Sequence, residues 1–263
     1  MKKYGLLSLL VLASMVLAAC GGAQPPAAPE GGTITDLGGA TITIAVENAY
    51  PPFNYIDEAT GEPAGWDYEV VTEICSRLNC VPEFSEASWE GIFPAMAAGE
   101  YDMLADGATR LFERELVTEW SVPYVIIGQV LLIRSDEARA DLEAFTTDAE
   151  VIVGTQVGTT NEIVAKENFP ADRVLSFEDF GGATSALLAG DIDAVVIDNL
   201  SALGFMEANP GEMRVGPQLT SDEPLSFCFP PGSTLVLSVN YALRQMYEDG
   251  TLEEINNRWF NPQ

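Results

Sequence analysis

Histidine is missing from all 263 residues. That removes Ser-His-Asp and Cys-His nucleophilic catalysis and zinc sites built on imidazole, so any enzymatic chemistry would rest on carboxylates, lysine or arginine alone. Basic residues are scarce as well: 12 Lys and Arg stand against 40 Asp and Glu, a formal charge of −28. Such a chain is a poor partner for nucleic acid or an anionic membrane surface, and no nucleic acid is expected among its partners. Long apolar runs are also lacking. The N-terminal run Leu6 to Val16 is about half of the ~20 residues a helix needs to cross a bilayer, and no later stretch reaches that length without charges. A multi-span membrane protein is therefore excluded.

What the N-terminus does contain is an export pattern: Lys2 and Lys3, the apolar run, then the small residues Ala18 and Ala19. Residues 1–19 are read as a signal peptide. Leu17-Ala18-Ala19-Cys20 resembles the lipobox of bacterial lipoproteins, which implies lipid on Cys20 and a position on the outer face of the cytoplasmic membrane. The alternative is an ordinary secretory peptide cut near Ala19. Residues 20–40 then form a lipidated, Gly/Ala/Pro-rich tether without hydrophobic period. Two of the 12 basic residues fall in the signal peptide, leaving ten against 40 acidic residues and a mature charge near −30.

Four cysteines remain to be placed. Cys20 goes to lipid. Cys75 and Cys80 bracket the end of a helix and the start of a strand, where an exported chain would oxidise them to a bridge worth at most about 2 kcal/mol. Cys228, in an apolar strand, is expected as a buried free thiol.

Roughly 225 residues follow the tether, enough for two lobes. Ile42–Val46 alternates threonine with apolar residues and reads as a strand ending at Glu47-Asn48. Val70, Val71, Ile74 and Leu78 recur at helical spacing between Trp66 and Leu78, with Asn79 as the stop. A strand Cys80–Phe84, a helix Trp89–Ala98 and a strand Tyr101–Ala105 complete a βαβ rhythm. That rhythm returns as a strand Val151–Thr155, helices Thr160–Asn168 and Phe180–Leu188, and a strand Ile192–Ile197. Ile126–Ile133 is apolar enough to pass between two lobes, and a final helical pair is interrupted at Asp249-Gly250. Parallel strands gather their carboxyl-end loops on one edge, where ligands bind.

Six pieces then occur in order: Gly65-Trp66-Asp67; Trp89-Glu90-Gly91-Ile92-Phe93-Pro94-Ala95 with Gly99-Glu100-Tyr101-Asp102; Gly107-Ala108-Thr109 through Glu113-Arg114; Gly154 through Gly158-Thr159-Thr160; Asp191-Ile192-Asp193-Ala194-Val195 to Asp198; and Asp249-Gly250-Thr251-Leu252 with Trp259-Phe260. Together they resemble the family 3 solute-binding proteins, the polar-amino-acid receptors of ABC importers, from about Thr41 to Phe260. The resemblance implies an α/β, two-lobe periplasmic-binding-protein-like fold of type II, each lobe a mixed sheet flanked by helices. Lobe 1 would be residues 41–126 and 225–263 and lobe 2 residues 127–224, joined by hinges near Ile126–Val130 and Gln218–Ser226. It implies a monomer whose partners are a free amino acid, an importer permease and its ATPase. No cofactor, metal or catalytic residue is implied.

Arg114 matches the family's carboxylate-binding arginine and Asp198 its ammonium-binding acid. A surface ion pair with Glu113 or Glu115, and a strand-end cap, are the plainer roles for these two. Thr159 and Thr160 follow Gly158 at a helix start, where free N–H groups attract an anion or the hydroxyls simply cap the helix. Gly107 and Thr109 match backbone and hydroxyl contacts of the other lobe, Tyr50 and Trp89 match aromatic walls, and Glu47 matches an acid that meets the ligand's distal end in some members. Asp106 departs from the family's usual small residue. With Glu47 and Asp198 it makes an acidic pocket, which points to a basic amino acid such as arginine, lysine or ornithine. Val122 and Arg110 depart too, the first structurally, the second as a rim charge or an ion pair within its lobe. Two rivals share this architecture. One is a cyclohexadienyl-dehydratase-like enzyme with Asp106 and Glu47 as acid and base. The other is a sensor, which would need a partner because only three residues follow Phe260.

Overall fold

A computed structural model describes residues 33–261. Alternation in the strand Ala40–Val46 buries Ile42, Ile44 and Val46 and leaves Thr41 in water, so this strand can sit inside a sheet. It pairs in parallel with Cys80–Glu86 on one side and Met103–Leu104 on the other. Cys228–Phe229 then pairs antiparallel with Met103–Leu104 and with Glu119–Trp120, closing a mixed five-stranded sheet.

The second sheet repeats the logic with a more apolar centre. Ala194–Asp198 is buried at all five positions, because it lies between Val153–Gln156 in parallel and Gln129–Arg134 antiparallel. Val174–Phe177 and Met213–Gln218 form its edges. Between the sheets the chain crosses twice. At the crossings Val125–Ile127 and Glu223–Leu225 pair antiparallel in a two-stranded ribbon of their own.

Helix Trp66–Leu78 turns Trp66, Val70, Val71, Ile74 and Leu78 inward, carries Asp67 and Glu69 in its first turn, and ends where Asn79 adopts the left-handed conformation. The terminal helices Leu235–Glu248 and Thr251–Phe260 pack on it and on each other. Trp66, wholly buried, stacks near Phe227 and Phe260 and ties these pieces together. Truncating so large a buried ring costs about 3–5 kcal/mol. Cys75 and Cys80 are bonded, and Cys228 is a buried free thiol whose pKa burial pushes up to about 12.

Three features differ from the sequence expectation. The helix expected from Trp89 begins at Ile92, because Gly91 takes a positive φ of 91° and Trp89-Glu90 form the turn before it. The strand expected over Tyr101–Ala105 is reduced to Met103–Leu104. Residues between the first strand and first helix form a small meander, Ala49–Tyr50, Asn54–Ile56 and Pro63–Ala64, whose segments are too short to show a period. Among the described residues no helix is long and apolar enough to cross a membrane.

Candidate ligand-binding site

The carboxyl ends of the parallel strands of both sheets meet at one pocket, narrowed by side chains that reach into it. From the first sheet come Glu47, just past Ala40–Val46, and Asp106, Gly107 and Thr109, just past Met103–Leu104. Tyr50 comes from the meander, Trp89 from the turn before helix Ile92–Ala98, and Arg114 from the short helix Phe112–Glu115. The second sheet sends Thr159 and Thr160, opening helix Thr160–Asn168, and Asp198, the last residue of Ala194–Asp198. All ten residues singled out in the sequence line this pocket, along with Gln156, Asn161 and Phe180.

Arg114 makes no ion pair with Glu113 or Glu115; Glu115 pairs instead with Arg110, which settles Arg110 as an ion pair within its own region. The Arg114 guanidinium donates to the carbonyl oxygens of Thr109 at 2.9 Å and Gly158 at 3.4 Å, and lies 4.1 Å from the centroid of Phe93 and 5.4 Å from that of Trp89. Burial lowers its pKa to about 10, which leaves it charged at neutral pH. It is a cation held by dipoles and π-faces, with no carboxylate among the described residues in salt-bridge range.

Asp198 stands at the N-cap position of helix Asn199–Ala208 but makes no side-chain cap bond. Its carboxylate accepts instead from the Tyr50 hydroxyl and, at 2.8 Å, from the Asn161 amide. Burial raises its pKa to about 7, against these two hydrogen bonds and the Arg114 charge, which lower it. Tyr50 thus spans the two sheets by a hydrogen bond as well as by its ring, which stacks on Phe53 and Phe180. Gly107 has a reason to be glycine here: its φ is 53°, and a Cβ would lie 2.6 Å from the Tyr50 ring.

Glu47 accepts from the Gln156 amide at 2.6 Å, and Asp106 accepts from Asn54 at 2.7 Å. Asn54 gives its other amide hydrogen to Asp67, 2.9 Å away. Burial is the main cause that raises Glu47 and Asp106 to about 8, with the Asp106 charge adding to the rise at Glu47 and the Asp67 charge to that at Asp106. Thr159 caps its helix through Glu162 N–H at 3.1 Å and donates to Gln156 carbonyl at 2.7 Å, so its hydroxyl is committed within the protein. Thr160 and Thr109 face each other, oxygens 3.4 Å apart.

The model of the bacterial extracellular solute-binding proteins, family 3, matches residues 42–262. The chain belongs to this family. Its relatives include the L-cystine-binding protein TcyA of Bacillus subtilis, 30% identical over 99% of this chain and 98% of that protein. The glutamine-binding protein GlnH of the same organism is 28% identical over 98% of this chain and 97% of the relative. A solved structure of an ancestral arginine-binding protein bound to glutamine superposes with a TM-score of 0.77 and 31% identity, covering 84% of this chain and 98% of that one. An ancestral amino-acid-binding protein described as a precursor of cyclohexadienyl dehydratase matches at 0.76 and 31%, over 84% and 96%. These structures carry the two-lobe α/β fold that the two sheets form here.

Three pocket residues of this family member were not singled out in the sequence: Gln156, Asn161 and Phe180. Gln156 ends a strand two residues before Gly158, and Asn161 lies in the first turn of the helix that follows, so both occupied positions a strand-end reading would have reached. Phe180 follows the helix cap Asp179, which accepts from Gly182 N–H at 2.7 Å, and in the sequence it stood only as the start of a helix. Cys20 and the tether to residue 32 lie outside the described residues.

Proposed function

We propose that this chain captures a free amino acid between its two lobes and delivers it to the permease and ATPase of an ABC importer. The observation that carries this reading is a half-buried guanidinium, without a carboxylate partner among the described residues, lining the same pocket as a buried carboxylate from the other sheet. A free amino acid carries an anion and a cation on one carbon, and removing both from water is costly unless each meets an opposite charge. Arg114 takes the carboxylate with its planar fork, aided by Thr109, Thr160 and the N–H of Thr159, and Asp198 takes the ammonium with Gly107. Tyr50 and Trp89 enclose the side chain.

Glu47 and Asp106 line the pocket with no cation paired to them among the described residues, and burial raises their pKa values, so their charge is costly in this setting. A positive group at the far end of the ligand relieves that cost. The ligand is therefore a basic amino acid, arginine, lysine or ornithine, or another amino acid whose far end is cationic. Lobe 1 comprises residues 41–126 and 225–263 and lobe 2 residues 127–224, and the paired crossings are the hinges. Closure is favoured because only then do both poles of the zwitterion find their partners. Lipid on Cys20 holds the protein, a monomer, at the outer face of the cytoplasmic membrane.

A thermal-shift screen of the common amino acids with ornithine and cystine tests the reading, since a ligand at 100 times its Kd stabilises by about 2.7 kcal/mol. Basic amino acids should shift the midpoint most, with a smaller radius of gyration in solution scattering on saturation. Tighter binding of glutamine or glutamate would overturn the basic preference, and no shift with any amino acid would overturn the reading itself. Raised carboxyl pKa values at Glu47 and Asp106 also suit a dehydratase acid and base, and loss of a prephenate-like acid in a direct assay would establish that second reading. The relative described as a dehydratase precursor is itself an amino-acid-binding protein, which supports transport.

A further inference from the structure

Gln129 is fully buried at the start of the strand Gln129–Arg134, where the chain has just crossed into the second sheet, and it does not line the pocket. Its amide nitrogen donates to two oxygens: Oε2 of Glu223 at 2.8 Å, on the other crossing, and Oγ1 of Thr160 at 3.1 Å, in the pocket. Thr220 joins the same network, accepting from the Gln129 backbone N–H at 2.9 Å and donating to the second oxygen of Glu223. The other amide atom, Oε1, is buried without a partner among the described residues. That asymmetry fixes the amide's orientation, because a carboxylate accepts and cannot donate.

A hydroxyl has one hydrogen. With its oxygen engaged by Gln129, Thr160 has its own hydrogen left to give, and the oxygen of Thr109 across the pocket lies 3.4 Å away. We infer that Gln129 is a positioning residue that sets Thr160 as a hydrogen-bond donor to the ligand carboxylate and links that contact to both crossings between the lobes through Glu223. This rests on the proposed amino-acid reading, and it adds a residue outside the pocket that controls affinity. A ligand carboxylate that takes the Thr160 hydrogen replaces a weak hydroxyl pair with a charge-assisted bond, and the amide and Glu223 hold the crossings in the arrangement that presents it.

The test is a double-mutant cycle on the full-length protein with Gln129→Met and Thr160→Val, titrated calorimetrically with L-arginine, L-glutamine and L-cystine. For each of the three that the wild type binds, Gln129→Met should weaken binding about five- to tenfold. In the Thr160→Val background the same change should cost less than twofold in affinity. Equal loss of affinity in both backgrounds, or no loss in either, would overturn the inference. Should methionine prevent folding, Gln129→Asn, a polar amide too short to reach both partners, carries the same expectation. A wild type that binds no amino acid of the thermal-shift screen overturns the amino-acid reading, and the inference with it; a wild type that binds with an additive cycle, run with whichever amino acid it binds, overturns the inference alone.

Discussion

Arg114 reaches the pocket with its guanidinium resting on two backbone carbonyls and two aromatic faces, whereas Asp198 arrives with Tyr50 and Asn161 already donating to its two oxygens. Among the described residues one pole has no carboxylate in ion-pair range; the other has neutral donors that soften its charge. A half-buried cation without a paired anion gains most from a ligand carboxylate, so binding should lean harder on the arginine than on the aspartate. Glu47 and Asp106 resemble Asp198 in this, since they too are carboxyl groups served by amides.

The largest expected effect breaks the arginine pole. Arg114→Met should weaken amino-acid binding by about 100-fold or more, since removing one member of a desolvated charge pair costs about 2–5 kcal/mol. Calorimetry checks it, and a loss under fivefold would show that the guanidinium does not hold the carboxylate. Asp198→Asn should cost less, roughly 10- to 30-fold, because Tyr50 and Asn161 remain to shape the site. A larger loss than at Arg114 would reverse the comparison.

The anionic end predicts a pH dependence with a definite sign. Asp198 is raised to about 7 and Glu47 and Asp106 to about 8 by burial, against about 4 for free carboxyls. The folded protein therefore binds more protons than the unfolded chain between about pH 4 and 8. Stability without ligand should fall as pH rises through that window and level off on either side. Melting temperatures read by calorimetry from pH 4 to 9 check this, and Asp106→Asn should flatten the slope. A cationic ligand should bind more tightly as pH rises through the same window, because it needs the carboxylates ionised. The smallest effect belongs to the bridge: replacing Cys75 and Cys80 together by alanine should cost at most about 2 kcal/mol of stability and leave affinity unchanged.

Trp66–Leu78 was legible because its hydrophobic period is strong, and Thr160–Asn168 because Gly158-Thr159 marks its start; both begin and end where expected. Seven of the ten pocket residues came from the six collinear pieces, Glu47 and Tyr50 from the same family match outside them, and Asp106 as a departure from it, none from period or composition; taken alone, Arg114 between two glutamates reads as a surface ion pair. What stayed hidden depends on contacts distant in sequence. Tyr50 was read as a wall, yet its hydroxyl meets Asp198 across 148 residues, and Gln156 meets Glu47 across 109. No local pattern encodes such pairs. The helix Asn199–Ala208 was hidden for another reason: its apolar residues are spread around its circumference without a clear face.

The central claim is that opposite poles of one small zwitterion are held by Arg114 from one half and Asp198 from the other. Calorimetric titration with the tightest-binding amino acid, its N-acetyl derivative and its C-terminal amide tests this directly. Both blocked forms should bind at least 100-fold more weakly than the free amino acid; a blocked form that binds as tightly would contradict the account.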